Sequence, residues 1–217
     1  LMSINKFALS VALAGILGAS SALAETSGVF VGVQGAYGSA EINYETGSLV
    51  SQVVGTQTSD ESLDFGAFRY GFVAGYKQFF TDSFGLRYYG MLDYGTNIHE
   101  EDVAGETISV EFDTLNVNAN VDALYNFISG ENLDFGVFAG VSLGYANHLP
   151  KDAGDDESGV GGFDAGINLG VRVNLAGHHG IELFSRIGVA EQKEEGKIIT
   201  TKFSQPYQIG LRYAFSF

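Results

Sequence analysis

The 217-residue chain has no cysteine, no tryptophan and two prolines. Lack of cysteine excludes a disulfide-stapled scaffold and little else, since a secreted domain of this size folds without staples. Basic residues are also scarce: 11 Lys and Arg stand against 26 Asp and Glu, a formal net charge of −15. That balance argues against binding nucleic acid or anionic surfaces. Past the first two dozen residues, no apolar run approaches the ~20 residues of a membrane helix. A mature chain placed in a membrane would not cross it as helices.

The first 24 residues read as a removable address. Lys6 is a positive start, Phe7 to Leu17 is an apolar core, and Ala22-Leu23-Ala24 is a small-x-small cleavage site before Glu25. This is the layout of a secretory signal peptide. The expected domains are therefore a signal peptide over 1–24 and one folded unit over 25–217.

Glycine is plentiful, with 30 residues, and aromatics make up 13% of the chain. They follow a period of two, the signature of strands. In Phe68 to Phe80, Phe68, Tyr70, Phe72, Ala74 and Tyr76 alternate with Arg69, Gly71, Val73, Gly75 and Lys77. After the turn Thr81-Asp82-Ser83, Phe84, Leu86, Tyr88, Leu92 and Tyr94 oppose Arg87, Tyr89, Met91 and Asp93. The same alternation predicts strands over 28–37, 113–126, 133–146, 162–175, 181–189 and 203–217, which makes eight. In the first of these, Phe30 breaks the parity. The connections near 39–64, 95–108, 147–161 and 190–202 are long, with acidic runs such as Glu100-Glu101-Asp102, Asp155-Asp156-Glu157 and Glu194-Glu195. Those near 81–83, 127–132 and 176–180 are short. Long and short connections joining an even number of strands fit an outer-membrane barrel, with both termini in the periplasm.

A soluble sandwich alternates too, so the polar face decides. It carries all five arginines, Arg69, Arg87, Arg172, Arg186 and Arg212, with Lys77. Asp93, Asp122, Asp134, Asp164 and Glu182 share that face, interleaved with glycine, serine and asparagine. A narrow interior filled by side chains wants small residues beside large ones. Arginine is the better cation for enclosed pairs with carboxylates. On the lipid side an arginine would cost roughly 2–4 kcal/mol at the midplane. The expectation is an all-β, eight-stranded antiparallel up-and-down barrel with an interior charge network of those eleven residues. Lipid offers no hydrogen-bond partner, so strand one must pair with the last strand. Tyr76, Phe80, Phe84, Tyr125, Phe215 and Phe217 would form a periplasmic aromatic girdle, and Tyr37, Tyr94, Tyr145, Phe163 and Tyr207 an outer one.

Several stretches resemble the Helicobacter-type outer membrane protein family, the Hop-like barrels of epsilon-proteobacteria. They are "GYKQFFTDSFGLRYYGMLDYG" at 75–95, "VDALYNF" at 121–127, "FGVFAGVSLG" at 135–144, "NLGVRVNLAGHHGIEL" at 168–183 and the closing "GLRYAFSF". The resemblance implies an eight-stranded barrel without the large adhesin insert, because only about 25 residues separate the first two predicted strands. The terminal strand also resembles the signal read by the outer-membrane assembly machinery. Its residues here are Gln208, Gly210, Leu211, Tyr213, Phe215 and Phe217.

Catalysis finds little support. A barrel enzyme such as a lipid A deacylase needs a His beside a Ser and a carboxylate. His178 and His179 fall in a short turn, and His99 and His148 lie in outer connections without an evident inward serine. Adjacent histidines on a turn rarely converge on a metal. The acidic run Asp152 to Glu157 lacks the spacing of a calcium loop. Gly159 to Gly162 is followed by neither a lysine nor a helix signal, so it cradles no phosphate. The reading is a non-enzymatic outer-membrane barrel without cofactor or metal, structural or surface-interacting. Its expected partners are lipopolysaccharide, phospholipid, the assembly machinery and a host surface ligand. A small porin or an adhesin is the alternative, and a lipid A-modifying enzyme a more distant one.

Overall fold

The computed structural model describes residues 25, 27–46, 61–103, 106–130, 132–150, 160–195 and 199–217. The expected signal segment 1–24 and the Asp152 to Glu157 run lie outside the described residues. Ten strands follow in order: β1 (Gly28–Thr46), β2 (Glu61–Phe79), β3 (Phe84–Val103), β4 (Glu106–Ser129), β5 (Leu133–Pro150), β6 (Val160–Leu175), β7 (His179–Gly188), β8 (Glu191–Glu195), β9 (Ile199–Ser204) and β10 (Tyr207–Ser216). All pairings are antiparallel between neighbours. β1 also pairs with β10, from Phe30↔Ser216 to Gly38↔Gln208. β1 to β7 and β10 therefore close an eight-stranded barrel. No edge is left to be satisfied by lipid.

The alternation in sequence becomes inside and outside. Along β10, Tyr207, Ile209, Leu211 and Tyr213 are exposed, while Gln208, Arg212 and Ala214 are buried. From Tyr207 to Phe217 the strand rises about 33 Å, or about 25 Å along the axis at a ~40° tilt, the height of an outer-membrane apolar band. Phe68 and Phe72 are each 63% exposed, whereas Arg69 and Arg87 are 1% exposed. In water such a coat would be an aggregation surface; against acyl chains it is the favoured one.

The short turns and both ends of the described chain lie at one end of the barrel, called here the terminal end. At the β2–β3 turn the Thr81 Oγ1 accepts from the Phe84 N–H at 2.9 Å. At the β6–β7 turn, Ala176 and Gly177 both have positive φ, 51° and 71°. That is the backbone a two-residue hairpin requires, and the His178 N–H closes it onto the Leu175 carbonyl at 3.1 Å. The expected 127–132 turn is shorter than read. β4 runs to Ser129 through a bulge between Asn126 and Ile128, which leaves Phe127 and Ile128 both facing outward.

At the opposite, distal end the expected loops are in large part strand. β3 and β4 stay paired out to Val103↔Glu106, through the described residues of the segment read as a loop at 95–108. β1 and β2 pair out to Tyr44↔Glu61, and β5 extends to Pro150. The segment read as a loop at 190–202 contains the β8–β9 hairpin, with β9 paired to the upper part of β1. Acidic residues mark where strands leave lipid, and a solvated ladder continues beyond that line at no cost in desolvation. Between β10 and β9 the register slips: the three steps from Gly38 to Glu41 face the four from Gln208 to Ser204. Pro206, which has no N–H for a ladder, sits in this irregularity, and its carbonyl accepts from the Gly188 N–H at 3.1 Å.

Candidate functional site in the barrel lumen

Every charged residue singled out on the polar face points into the lumen and is buried. Among the described residues, the buried charges are six cations, Arg69, Lys77, Arg87, Arg172, Arg186 and Arg212, and six carboxylates, Glu25, Asp93, Asp122, Asp134, Asp164 and Glu182. A dry interior cannot hold unbalanced charge, so equality of sign is the condition for filling it this way.

The centre is Glu182 on β7. It accepts from Arg87 Nη1 of β3 and from Arg212 Nη1 of β10 at 3.2 Å, and lies 3.9 Å from Arg172 Nε of β6. Arg87 also donates to Asp122 Oδ2, from Nη2 at 2.7 Å and Nε at 3.3 Å. Asn168 donates to the other oxygen of Asp122 at 3.1 Å. Arg212 Nε donates to Gln34 Oε1 at 3.0 Å, and Gln34 in turn donates to Asp93 at 3.3 Å. Asp93 further accepts from Gln208 and Asn116, both at 3.3 Å, and lies 3.6 Å from Arg69 Nη1. A second group nearer the distal end joins Arg186 Nη2 to Asp164 at 2.8 Å, with Ser142 and Asn118 completing it. Asp134, at the terminal end, accepts from Asn174 at 3.3 Å.

Aromatic rings fill the space between these groups. The Arg87 guanidinium lies 4.9 Å from the centre of the Tyr89 ring and 4.8 Å from that of Phe138. Arg212 lies 5.1 Å from the Tyr89 ring and 4.8 Å from the Phe184 ring. Each such contact in a desolvated site contributes on the order of 2 kcal/mol. Phe30, which broke the outward parity of strand one, is an inward residue, 6.0 Å from the Tyr89 ring. Glycine makes room for the charges: a Cβ on Gly140 would lie 2.2 Å from Asp122 Oδ1 and from the Val121 carbonyl.

The distal end of the lumen is capped by Ile42, Phe65, Phe112 and Phe203. His148 stacks on Phe203 with ring centres 5.0 Å apart. Its Nδ1 lies 2.9 Å from the Thr114 hydroxyl and its Nε2 lies 3.3 Å from Gln192 Oε1. A hydroxyl–imidazole pair is thus present, with an amide where a catalytic set would have a carboxylate. His99 contacts the Asp64 carbonyl at 2.6 Å. His178 and His179 face different partners, the Ser216 carbonyl and the Tyr213 hydroxyl, each at 2.8 Å. No group of three or more metal-binding side chains occurs among the described residues.

The terminal end is filled by a residue that the sequence reading left aside. Glu25 is buried and accepts from Lys77 and Arg172, with Asn126 donating to its second oxygen at 3.3 Å. Burial alone would raise its pKa, but the charges of Arg172 and Lys77 outweigh that and pull it down to about 2. The closing strand carries the residues read as an assembly signal. Gln208 points inward to Asp93, and Leu211 and Tyr213 point outward. Gly210 packs so closely on β1 that a Cβ would lie 2.3 Å from the Gly35 carbonyl. Phe215 and Phe217 meet edge to face at 5.2 Å, and the Phe217 N–H donates to the Val29 carbonyl at 3.0 Å. The aromatics read as girdles keep the outward parity, but Tyr37 and Tyr94 fall mid-strand because β1 and β3 run on past the expected strand ends; Tyr94 is half-buried, its hydroxyl donating to Asp113 at 2.5 Å.

Residues 71–217 match the family model described as Helicobacter outer membrane protein. No curated protein matches the chain. Among solved structures, the chain is similar to Neisserial surface protein A, with 16% identity, a TM-score of 0.43, and coverage of 89% of this chain and 100% of that one. OprG from Pseudomonas aeruginosa gives 10% identity and a TM-score of 0.49, over 89% of this chain and 98% of that one. Ail, the attachment invasion locus protein of Yersinia pestis, gives 9% identity and a TM-score of 0.31, over 85% of this chain and 98% of that one.

Proposed function

The chain belongs to the Helicobacter outer membrane protein family, and from that premise we propose that it is a sealed barrel with a structural and surface-interacting role, without catalysis. The observation that carries this is the lumen. Among the described residues six buried cations meet six buried carboxylates, and the distal end is closed by aromatic side chains. An ion entering would have to displace paired, desolvated charges, which costs several kcal/mol for each broken pair.

In this reading the terminal end faces the periplasm and the paired distal extensions stand outside the cell, following the rule of short inner and long outer connections. The outward apolar belt takes phospholipid below and lipopolysaccharide above. The acidic distal hairpins form the surface offered to a host ligand. The closing strand, ending in Phe215 and Phe217, is handed to the assembly machinery before it pairs with β1, since an unpaired strand is a ready template.

The test is conductance of the purified protein in planar lipid bilayers. The sealed reading predicts a silent membrane; reproducible unitary steps would replace it with a small channel. Mass spectrometry of lipid A from cells with and without the protein is predicted to show no change. A new or lost acyl chain would make it an enzyme.

A further inference from the structure

The terminal mouth is closed by a side chain that belongs to no strand. Glu25 precedes β1, yet its carboxylate is buried at 3% exposure. Its Oε1 accepts from Lys77 on β2 and from Arg172 on β6. These two strands lie four places apart in either direction round the eight-stranded ring, so the cations reach in from opposite walls. Asn126, on β4 midway between them, donates to Oε2 at 3.3 Å. Two residues on, Ser27 Oγ accepts from the Phe79 N–H at 2.8 Å and ties the segment to the end of β2.

Three donors from three separated strands thus converge on one carboxylate. No local stretch of chain assembles them; only a closed ring does. Without Glu25 the buried charges among the described residues would be six cations against five carboxylates, and the Lys77–Glu25 ion pair would be lost. Asp134, the other carboxylate at this end, is held by Asn174.

We propose that Lys77, Arg172 and Asn126 form a carboxylate-binding site occupied by the chain's own Glu25, a clasp that engages when the barrel closes and plugs its terminal mouth. Vacated, the site takes a small free carboxylate. The proposal builds on the sealed-lumen reading and fails separately from it, because bilayer conductance judges that reading and formate binding judges this one.

The experiment compares wild type, Glu25→Ala and Glu25→Gln in detergent, reading the midpoint temperature of the heat-modifiable gel shift. Sodium formate is titrated against sodium chloride at equal ionic strength. Glu25→Ala is expected to lower the midpoint by at least ~5 °C. Formate then raises it saturably, while wild type does not respond. Glu25→Gln, whose amide fills the site, is expected to lose stability without responding to formate. If Glu25→Ala does not reach the folded band, refolding in formate but not in chloride supports the site, and equal failure in both overturns it. An unchanged midpoint in Glu25→Ala, or formate shifts equal in all three proteins, also overturns it.

Discussion

Replacing Glu182 with glutamine keeps the shape of the central side chain and removes its charge. The carboxylate now accepts from Arg87 and Arg212 and lies near Arg172, with 2% of the residue exposed. Breaking one partner of a buried ion pair costs roughly 3–5 kcal/mol, because the other is left uncompensated. Here three guanidinium groups lose one shared anion. Arg87 keeps Asp122, and Arg212 keeps Gln34, so the loss is expected within that range rather than as a multiple of it. Urea unfolding in lipid vesicles, followed by far-ultraviolet circular dichroism, measures the change. The double variant Glu182→Gln with Arg212→Gln restores the balance of sign. It is expected to recover at least ~1.5 kcal/mol relative to the sum of the single changes. A Glu182→Gln protein within ~1 kcal/mol of wild type, or a double variant that is simply additive, would refute the argument from charge balance.

Leu211→Arg places a cation on the lipid face and should cost about 2–4 kcal/mol in the same unfolding assay. Gly140→Val should prevent the heat-modifiable folded band from forming, since its Cβ alone would collide with the Val121 carbonyl and Asp122 at 2.2 Å. Glu25 has its folded pKa depressed from 4.5 to about 2, so its contribution is present above pH 4.5 and lost as pH falls towards 2. The stability difference between wild type and Glu25→Gln should shrink across that window, which pH-dependent urea titrations would show. Removal of Phe217, whose N–H bonds the Val29 carbonyl, should slow assembly into vesicles by the assembly machinery more than it lowers the stability of the assembled barrel.

The closed barrel was legible because burial here obeys a rule of two. Lipid on one side and paired charge on the other force the alternation, and any slip moves an arginine such as Arg212 into acyl chains. The lumen was only half legible. Arg87 and Asp122 declare themselves by charge, but Phe138 and Phe184 look like any other aromatics, and their role as plates against guanidinium groups needs the ring to be closed. Phe30 shows the difficulty: inward and outward aromatics differ in parity, not in kind. Even positions around it, Gly32, Gln34 and Ala36, were the available signal. Glu25 gave none, because it lies outside the period and its partners are 52 and 147 residues away. The described parts of the long connections are strand where loop was expected, because acidity reports departure from lipid, whereas hydrogen-bonded pairing such as Val103↔Glu106 continues into water.

Because the chain has no tryptophan, one can be placed as a single probe of which face meets lipid. Phe72→Trp and Phe138→Trp, folded into vesicles with brominated acyl chains, make the comparison, since Phe72 is 63% exposed and Phe138 3%. Strong quenching is expected at position 72 and little at position 138. Equal quenching, or quenching in the reverse order, would contradict a barrel that turns its apolar side outward and its charges inward.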